Sequence, residues 1–233
     1  MGGAALNLRQ KNIQKRRRKI LDTALQIVVE EGPEGVKIRE LAKRAGFSVT
    51  TLYNLFGNKD DILVALLENA LDEVSPLLEA KRETDPFSAI QAIMVGPVKF
   101  LTDNSRILRP ILAMLYYKPE RRAAPYAMVL LTGIIDSLSG LVEAAQKEGS
   151  LLQTLSPHLL AAEIFYSYRI AMEDWYCLEI NDEALSARVK TGVLFLLLSV
   201  ATDKSREHLQ NKLGKIQPQA LDHLFQRFPG LKK

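Results

Sequence analysis

Residues 48–59, SVTTLYNLFGNK, crowd hydrogen-bonding groups onto one short stretch without a catalytic pattern. Ser48, Thr50, Thr51 and Tyr53 bring hydroxyls, Asn54 an amide, and Lys59 a compact positive charge. At helical spacing, Ser48, Val49, Thr50, Thr51, Asn54 and Leu55 point away from the face that carries Leu52 and Phe56. Hydroxyls and Asn on such a face can bond base edges or phosphates, and the methyls of Val49 and Thr50 can touch thymine methyls. No arginine lies within 48–56 to grip guanine, so shape and backbone contacts would supply much of any affinity. Upstream, Lys15, Arg16, Arg17, Arg18 and Lys19 are five consecutive cations at the start of a predicted helix, where the helix dipole favours anions. That cost is repaid if a polyanion lies nearby, with the residues before them reaching along the minor groove. A flexible solubilising arm is the plainer alternative.

Local signals dictate how these groups are held. Apolar positions recur at three- and four-residue steps, as in Ile20, Ala24, Ile27 and Val28, and again in Leu63, Leu66, Leu67, Ala70, Leu71 and Val74. Alternating β-branched runs are missing, so the chain is expected to be all-α. A first helix over 15–31 ends at Gly32-Pro33. Gly46 suits a left-handed helix end, Ser48 an N-cap, and Gly57 a stop. Asn58 caps a long helix with Asp60 and Asp61 in its first turn. Within 38–56, IRELAKRAGFSVTTLYNLF, the residues Ile38, Leu41, Ala42 and Ala45 form one apolar face and Leu52, Tyr53 and Phe56 another, with Phe47 at the corner. Neither short helix is stable alone, so both must dock on the first helix. The result is a three-helix helix-turn-helix unit, whose second short helix can enter the major groove.

The stretch 17–71 resembles the DNA-binding domain of the TetR family of bacterial transcriptional regulators. The resemblance is carried by Ile20, Ala24, Leu25, Gly35-Val36, Ile38, Leu41, Ala42, Ala45-Gly46, Ser48, Thr51-Leu52-Tyr53, Phe56, Lys59 and Ile62-Leu63. It implies an N-terminal helix-turn-helix domain followed by a helical ligand-sensing and dimerisation domain. It further implies that Tyr53 turns its hydroxyl to a phosphate. Lys59, with the exposed amides of its helix start, can hold another phosphate. Two positions depart from the family pattern. Lys37 stands where a small hydroxyl commonly caps the second helix; lysine cannot cap, but it can reach a phosphate. Thr50 stands where glycine or alanine is common, at the face nearest the bases. The expected DNA contacts are therefore Arg16, Arg17, Arg18, Lys37, Ser48, Val49, Thr50, Thr51, Tyr53, Asn54 and Lys59.

Four segments are expected: a basic arm over 1–14, the DNA-binding domain over 15–73, a ligand-binding and dimerisation domain over 74–203, and two short helices over 204–233 separated by Pro218. Asp85-Pro86 and Ser156-Pro157 read as capped helix starts, a long helix covers about 125–148, and Pro76, Gly96-Pro97 and Pro110 should kink or break helices. Helices over 157–179 and 183–201 are the dimer candidates, because 193–198 is apolar on every side, and a helix apolar all round must be buried all round. Leu194 and Leu198 are its expected interface residues. A pocket is expected where Phe165, Arg169, Met172 and Tyr176 share one helical face, a single charge among large apolar groups. Pairing of Arg169 with Glu173 or Asp174 is the alternative. Trp175, the single tryptophan, lies beside that face.

The charge is divided unevenly: residues 1–60 hold 12 Lys/Arg against 6 Asp/Glu, 61–203 hold 12 against 19, and 204–233 hold 7 against 2. A basic front on an acidic body assigns the polyanion to one region only. One cysteine, Cys177, excludes an internal disulfide framework and a multi-cysteine zinc site. The three histidines, His158, His208 and His223, have no ligand partner at metal spacing, and neither a Gly-rich phosphate loop nor a serine elbow is present. No enzyme, cofactor or metal is expected. Absence of a signal-like or membrane-length apolar run places the chain in the cytoplasm with no membrane partner. The expected function is a dimeric regulator, most simply a repressor, that binds palindromic double-stranded operator DNA and is released by a small, largely apolar effector. The competing reading is a DNA-bound structural or cell-division factor whose helical body binds protein.

Overall fold

In a computed structural model of the chain, the structure describes residues 2–72, 85–116, 125–177 and 179–231. These are helical, without a strand among them; one antiparallel bridge joins Leu151 and Ala201. The chain divides into two units, one of residues 1–73 with 106–119, the other of 74–105 with 120–233.

In the first unit, α1 (Gly2–Glu31) is followed by a single 3-10 turn (Pro33–Gly35), then by α2 (Ile38–Ala45), α3 (Val49–Phe56) and α4 (Lys59–Asp72). α1 packs against α2, α3 and α4, and α3 against α2 and α4. The core they share is Ile20, Ala24, Ile27, Val36, Leu41, Ala45, Leu52, Ile62 and Leu63, all fully buried. Burying each large aliphatic side chain contributes about 1.5–3 kcal/mol, which two-turn helices cannot obtain alone. The punctuation matches its residues. Gly46 ends α2 at φ 75°, a left-handed conformation that glycine adopts without strain. Ser48 caps α3 by accepting from the Thr51 amide at 3.1 Å. The Asn58 side chain accepts from the amides of Asp60 at 2.7 Å and Asp61 at 3.1 Å. α6 (Ser105–Tyr116) begins at the boundary and its remaining residues group with this unit.

The second unit holds α5 (Pro86–Asp103), α7 (Pro125–Lys147), α8 (Pro157–Tyr176), α9 (Asp182–Ser199) and α10 (Asp203–Arg227). α9 packs on α5, α8 and α10, while α7 packs on α5 and α8. Asp85 caps α5 through the amides of Phe87 at 3.0 Å and Ser88 at 3.2 Å, and Asn181 caps α9 through that of Ala184 at 2.8 Å. Ser156 holds the cap position of α8 but makes no capping bond with its side chain.

Four expectations change. Residues 2–14, read as an arm, continue α1 as helix. Pro97 and Pro110 lie inside α5 and α6 without ending them; Pro76 falls outside the described residues. The C-terminal segment is one helix, not two: α10 runs through Pro218. A proline there removes one intrahelical bond, and α10 is fastened at both ends, which outweighs that loss. At its start the Ser205 hydroxyl donates to the Ser150 carbonyl at 2.6 Å and Leu209 is fully buried. At its end Arg227 pairs with Asp174 at 3.0 Å and with Glu179. Finally, Leu194 is fully buried inside its own unit and Leu198 is half-buried. α9 packs on three helices of the same unit, and these close over Leu194, so Leu194 is core rather than interface. Its exposed large apolar residue is Phe195, 57% exposed.

Candidate nucleic-acid interface

α2 and α3 meet at the Gly46–Ser48 turn, and the single buried residue Leu52 pins α3 to the core. Around that one buried residue the helix is half-buried on one side and exposed on the other. Thr50, Tyr53 and Asn54 are exposed and Val49 and Thr51 half-buried. Tyr53, read from spacing as part of the core face, is 52% exposed and free to direct its hydroxyl outward. Ser48 and Thr51 share a hydroxyl–hydroxyl bond of 2.8 Å in addition to the cap, so these two groups are already oriented by each other. Lys37 sits before α2 in extended backbone, makes no cap, and is exposed.

The cations of α1 separate into two kinds. Lys15, Arg16, Arg18 and Lys19 are exposed. Arg17 is part-buried: its guanidinium donates to the Leu55 carbonyl and lies 4.2 Å from the centre of the Phe56 ring. It therefore latches α1 to the end of α3 and is taken out of the set of open cations, a correction to its expected place among direct contacts. Lys19 lies 5.5 Å over the Phe47 ring. Lys59 reaches Glu34, 3.2 Å from its carboxylate and 3.4 Å from its carbonyl oxygen.

Residues 20–66, which hold this capped α3 on its three-helix core, match the model of the bacterial regulatory proteins of the tetR family. That segment is a TetR-type DNA-binding domain. The chain is 27% identical over 157 residues to the HTH-type transcriptional regulator RutR of Escherichia coli, covering 65% of this chain and 72% of RutR. It is 23% identical over 182 residues to the fatty acid metabolism regulator protein of Bacillus subtilis, covering 77% of this chain and 92% of that one. Among solved structures it resembles SmeT, the repressor of the Stenotrophomonas maltophilia multidrug efflux pump SmeDEF. There the TM-score is 0.62 at 20% identity, over 80% of this chain and 91% of that one; SmeT has also been solved with triclosan. RutR is thus a helix-turn-helix transcriptional regulator, the Bacillus subtilis protein a regulator of fatty acid metabolism, and SmeT a repressor.

Some contributors to the TetR-type site have weak signals in the sequence. Arg44 bonds Glu30 at 2.7 Å, Glu31 at 2.6 Å and Glu40 at 2.9 Å, tying α2 to the end of α1. Hydrogen bonding to Glu40 and Glu30 raises the Arg44 pKa further, and the Arg44 bond holds the Glu40 carboxyl below its usual range. Only the Glu40–Arg44 pair, four apart on one helix, is legible from spacing. Glu34 and the Leu55 carbonyl give no sign of their roles.

The expected pocket face is partly assembled. Phe165, Met172 and Tyr176 are buried along α8. Arg169 does not join them: its side chain is 51% exposed and lies 3.8 Å from Glu173. It stands at the edge of that stripe, and its long stem carries the guanidinium out to water. Trp175 is fully buried, and its indole donates to Asp182 at 2.7 Å, while the other Asp182 oxygen accepts from Ser105 at 2.9 Å. No helix among the described residues is long and apolar enough to cross a membrane.

Proposed function

We propose that this chain is a dimeric, ligand-responsive repressor of the TetR family, acting in the cytoplasm on a palindromic operator near its own gene. The observation that carries the DNA-binding part is α3, held by one buried leucine and a serine cap so that Thr50, Tyr53 and Asn54 face outward. In this reading Ser48, Val49, Thr50, Thr51 and Asn54 meet base edges or the adjoining backbone. Arg16, Arg18, Lys37, Tyr53 and Lys59 fix the register on phosphates, while Arg17 positions α3. Residues 15–73 form the DNA-binding domain, and 74–203 carry sensing and dimerisation through the surface of α8 and α9. Residues 204–233, as α10, are fastened onto the same unit.

The effector is a small, largely apolar molecule held within 85–180, where Phe165, Met172 and Tyr176 offer a buried apolar wall. DNA fixes the separation of two recognition helices, so an effector needs only to favour another separation. A tenfold loss of operator affinity requires about 1.4 kcal/mol of differential binding. The SmeT–triclosan complex supports this ligand class by likeness of fold. A thermal-shift screen of lipophilic metabolites and drugs, followed by operator release, tests the proposal. Hits should raise the melting temperature and free the DNA; binders that stabilise the protein yet leave DNA affinity unchanged would contradict it.

A further inference from the structure

α1 is 30 residues long, yet the first fully buried side chain described along it is Ile20. Residues 8–19, LRQKNIQKRRRK, lie ahead of the core, and of these only Ile13 and Arg17 are even half-buried. All twelve but Asn12 and Ile13 are straight-chain or Leu side chains that favour helix. The folded segment behind them supplies the helix nucleus, so α1 continues outward without a packing partner.

The charge of this extension is all of one sign. Residues 1–21 hold seven Lys/Arg and no Asp/Glu; the first acid is Asp22. Lys11, Lys15 and Arg18 share one face at steps of four and three, and Arg9 and Arg16 share a neighbouring one. Like charges at such spacing weaken a helix. Arg9, Lys11, Lys15, Arg16 and Arg18 are exposed and have no ion-pair partner among the described residues. The basic stretch begins beside α3. Arg17 donates to the Leu55 carbonyl at the end of that helix, and Lys19 lies over the Phe47 ring just ahead of its start. α1 therefore crosses α3 there, and Lys11 and Arg9 stand about 9–12 Å further along its axis. Leu8 and Ile13 are the only apolar side chains in 8–19, so the segment has no apolar face to lay into a membrane.

We infer that residues 8–15 form a second DNA-binding surface, through which Arg9, Lys11 and Lys15 hold phosphates of the duplex flanking the site that α3 reads. The surface is a helix, not a threading arm. An α-helix with its side chains is about 10–12 Å across, whereas the minor groove is about 6 Å wide, so the extension cannot enter it. It lies against the phosphate backbone instead, where contacts add affinity without sequence preference. The inference rests on the proposed DNA binding by α3 and adds a longer footprint to it.

Gel-shift titration of the full-length protein tests this on two duplexes carrying one binding site selected from random DNA. One duplex is trimmed to the site; the other is extended on each side by a helical turn of arbitrary sequence. Wild type should bind the extended duplex at least tenfold more tightly at low salt. The triple variant Arg9→Gln, Lys11→Gln, Lys15→Gln should lose that gain yet bind the trimmed duplex as wild type does. On the extended duplex it should flatten the slope of log affinity against log salt by about 2–3 per protomer. Asn12→Pro keeps every charge but breaks the helix that presents Arg9 and Lys11, so it should lose most of the gain too. Both variants lie ahead of the core and should keep the wild-type melting temperature. Equal wild-type affinity for the two duplexes would overturn the proposal and leave the cations to an anionic lipid surface or to solvent. A gain that Asn12→Pro leaves intact would overturn the helical surface in favour of a flexible arm. Failure to select or bind any duplex would instead overturn the DNA-binding reading beneath it.

Discussion

In α3 one residue is buried and the exposed face carries hydroxyls, an amide and a phenol; along α8–α10 the exposed face carries Tyr166, Ile170, Phe195, Leu221 and Leu224. Both surfaces are built from helices packed on an aliphatic core, yet they suit opposite partners. A polar face on a short, rigidly capped helix matches a wet, charged duplex groove, where hydrogen bonds decide register. An apolar face on long helices matches another protein surface, where burial supplies the energy. The positions of the cores differ as well. The helix-turn-helix core is drawn from residues 20–66, whereas the seat of α9 is closed by α5, α8 and α10, over a hundred residues of chain.

The largest effects separate the two regions by readout. Leu52 and Leu194 are both fully buried, and truncation of either to alanine should cost about 2–5 kcal/mol. Leu52→Ala should abolish DNA binding while α8–α10 still self-associate; Leu194→Ala should lower the melting of the second unit first. Calorimetry and gel-shift titration together check this, and loss of both functions from either substitution would erase the distinction. Next come the base-facing groups: Thr50→Ala and Asn54→Ala should each change discrimination at one or two base pairs by about 1–3 kcal/mol, measured on a panel of single-base operator variants.

Capping effects are smaller and comparable in the two units. Ser48→Ala and Asp85→Ala should each cost about 1 kcal/mol. For Asp85 burial pushes the carboxyl up, but bonds from Ser88 and Phe87 and the charge of Lys212 outweigh it, and the pKa lies below the ordinary value. A depressed folded-state pKa means its stabilisation is present above the unfolded value and is lost as pH falls through the folded one. The penalty of Asp85→Ala should therefore shrink in acid, whereas that of Ser48→Ala should not, as urea titrations at a series of pH values will show. The smallest effect is expected at Lys59: Lys59→Ala should weaken all duplexes alike and flatten the salt dependence by about 1 per protomer. Glu34→Gln, which releases Lys59 from its carboxylate, should modestly strengthen them all.

Legibility in the sequence followed the distance between interacting residues. Gly46, Ser48 and Asn58 act through bonds to residues two to four positions away, so their residue types announce the turn, the caps and the exposed face. The structure of 38–58 matches those signals nearly residue by residue. Arg17 shows the limit, because its partners Leu55 and Phe56 lie 38 and 39 residues away and no pattern in the basic run marks it apart from Arg16 and Arg18. Leu194 is the same failure on a larger scale: an all-apolar helix says that every side is covered, but not by which chain. Pro218 misled in the other direction, since a local breaker was overridden by anchors at Ser205 and Arg227.

The most direct test of a dimer reading a two-fold duplex is selection of binding sites from random DNA by the full-length protein, followed by titration of the selected site against salt. The expected outcome is an inverted repeat with half-sites about one helical turn or somewhat more apart, and log affinity falling linearly with log salt with a slope set by several phosphate contacts per dimer. An asymmetric selected sequence, or affinity that does not change with salt, would contradict it.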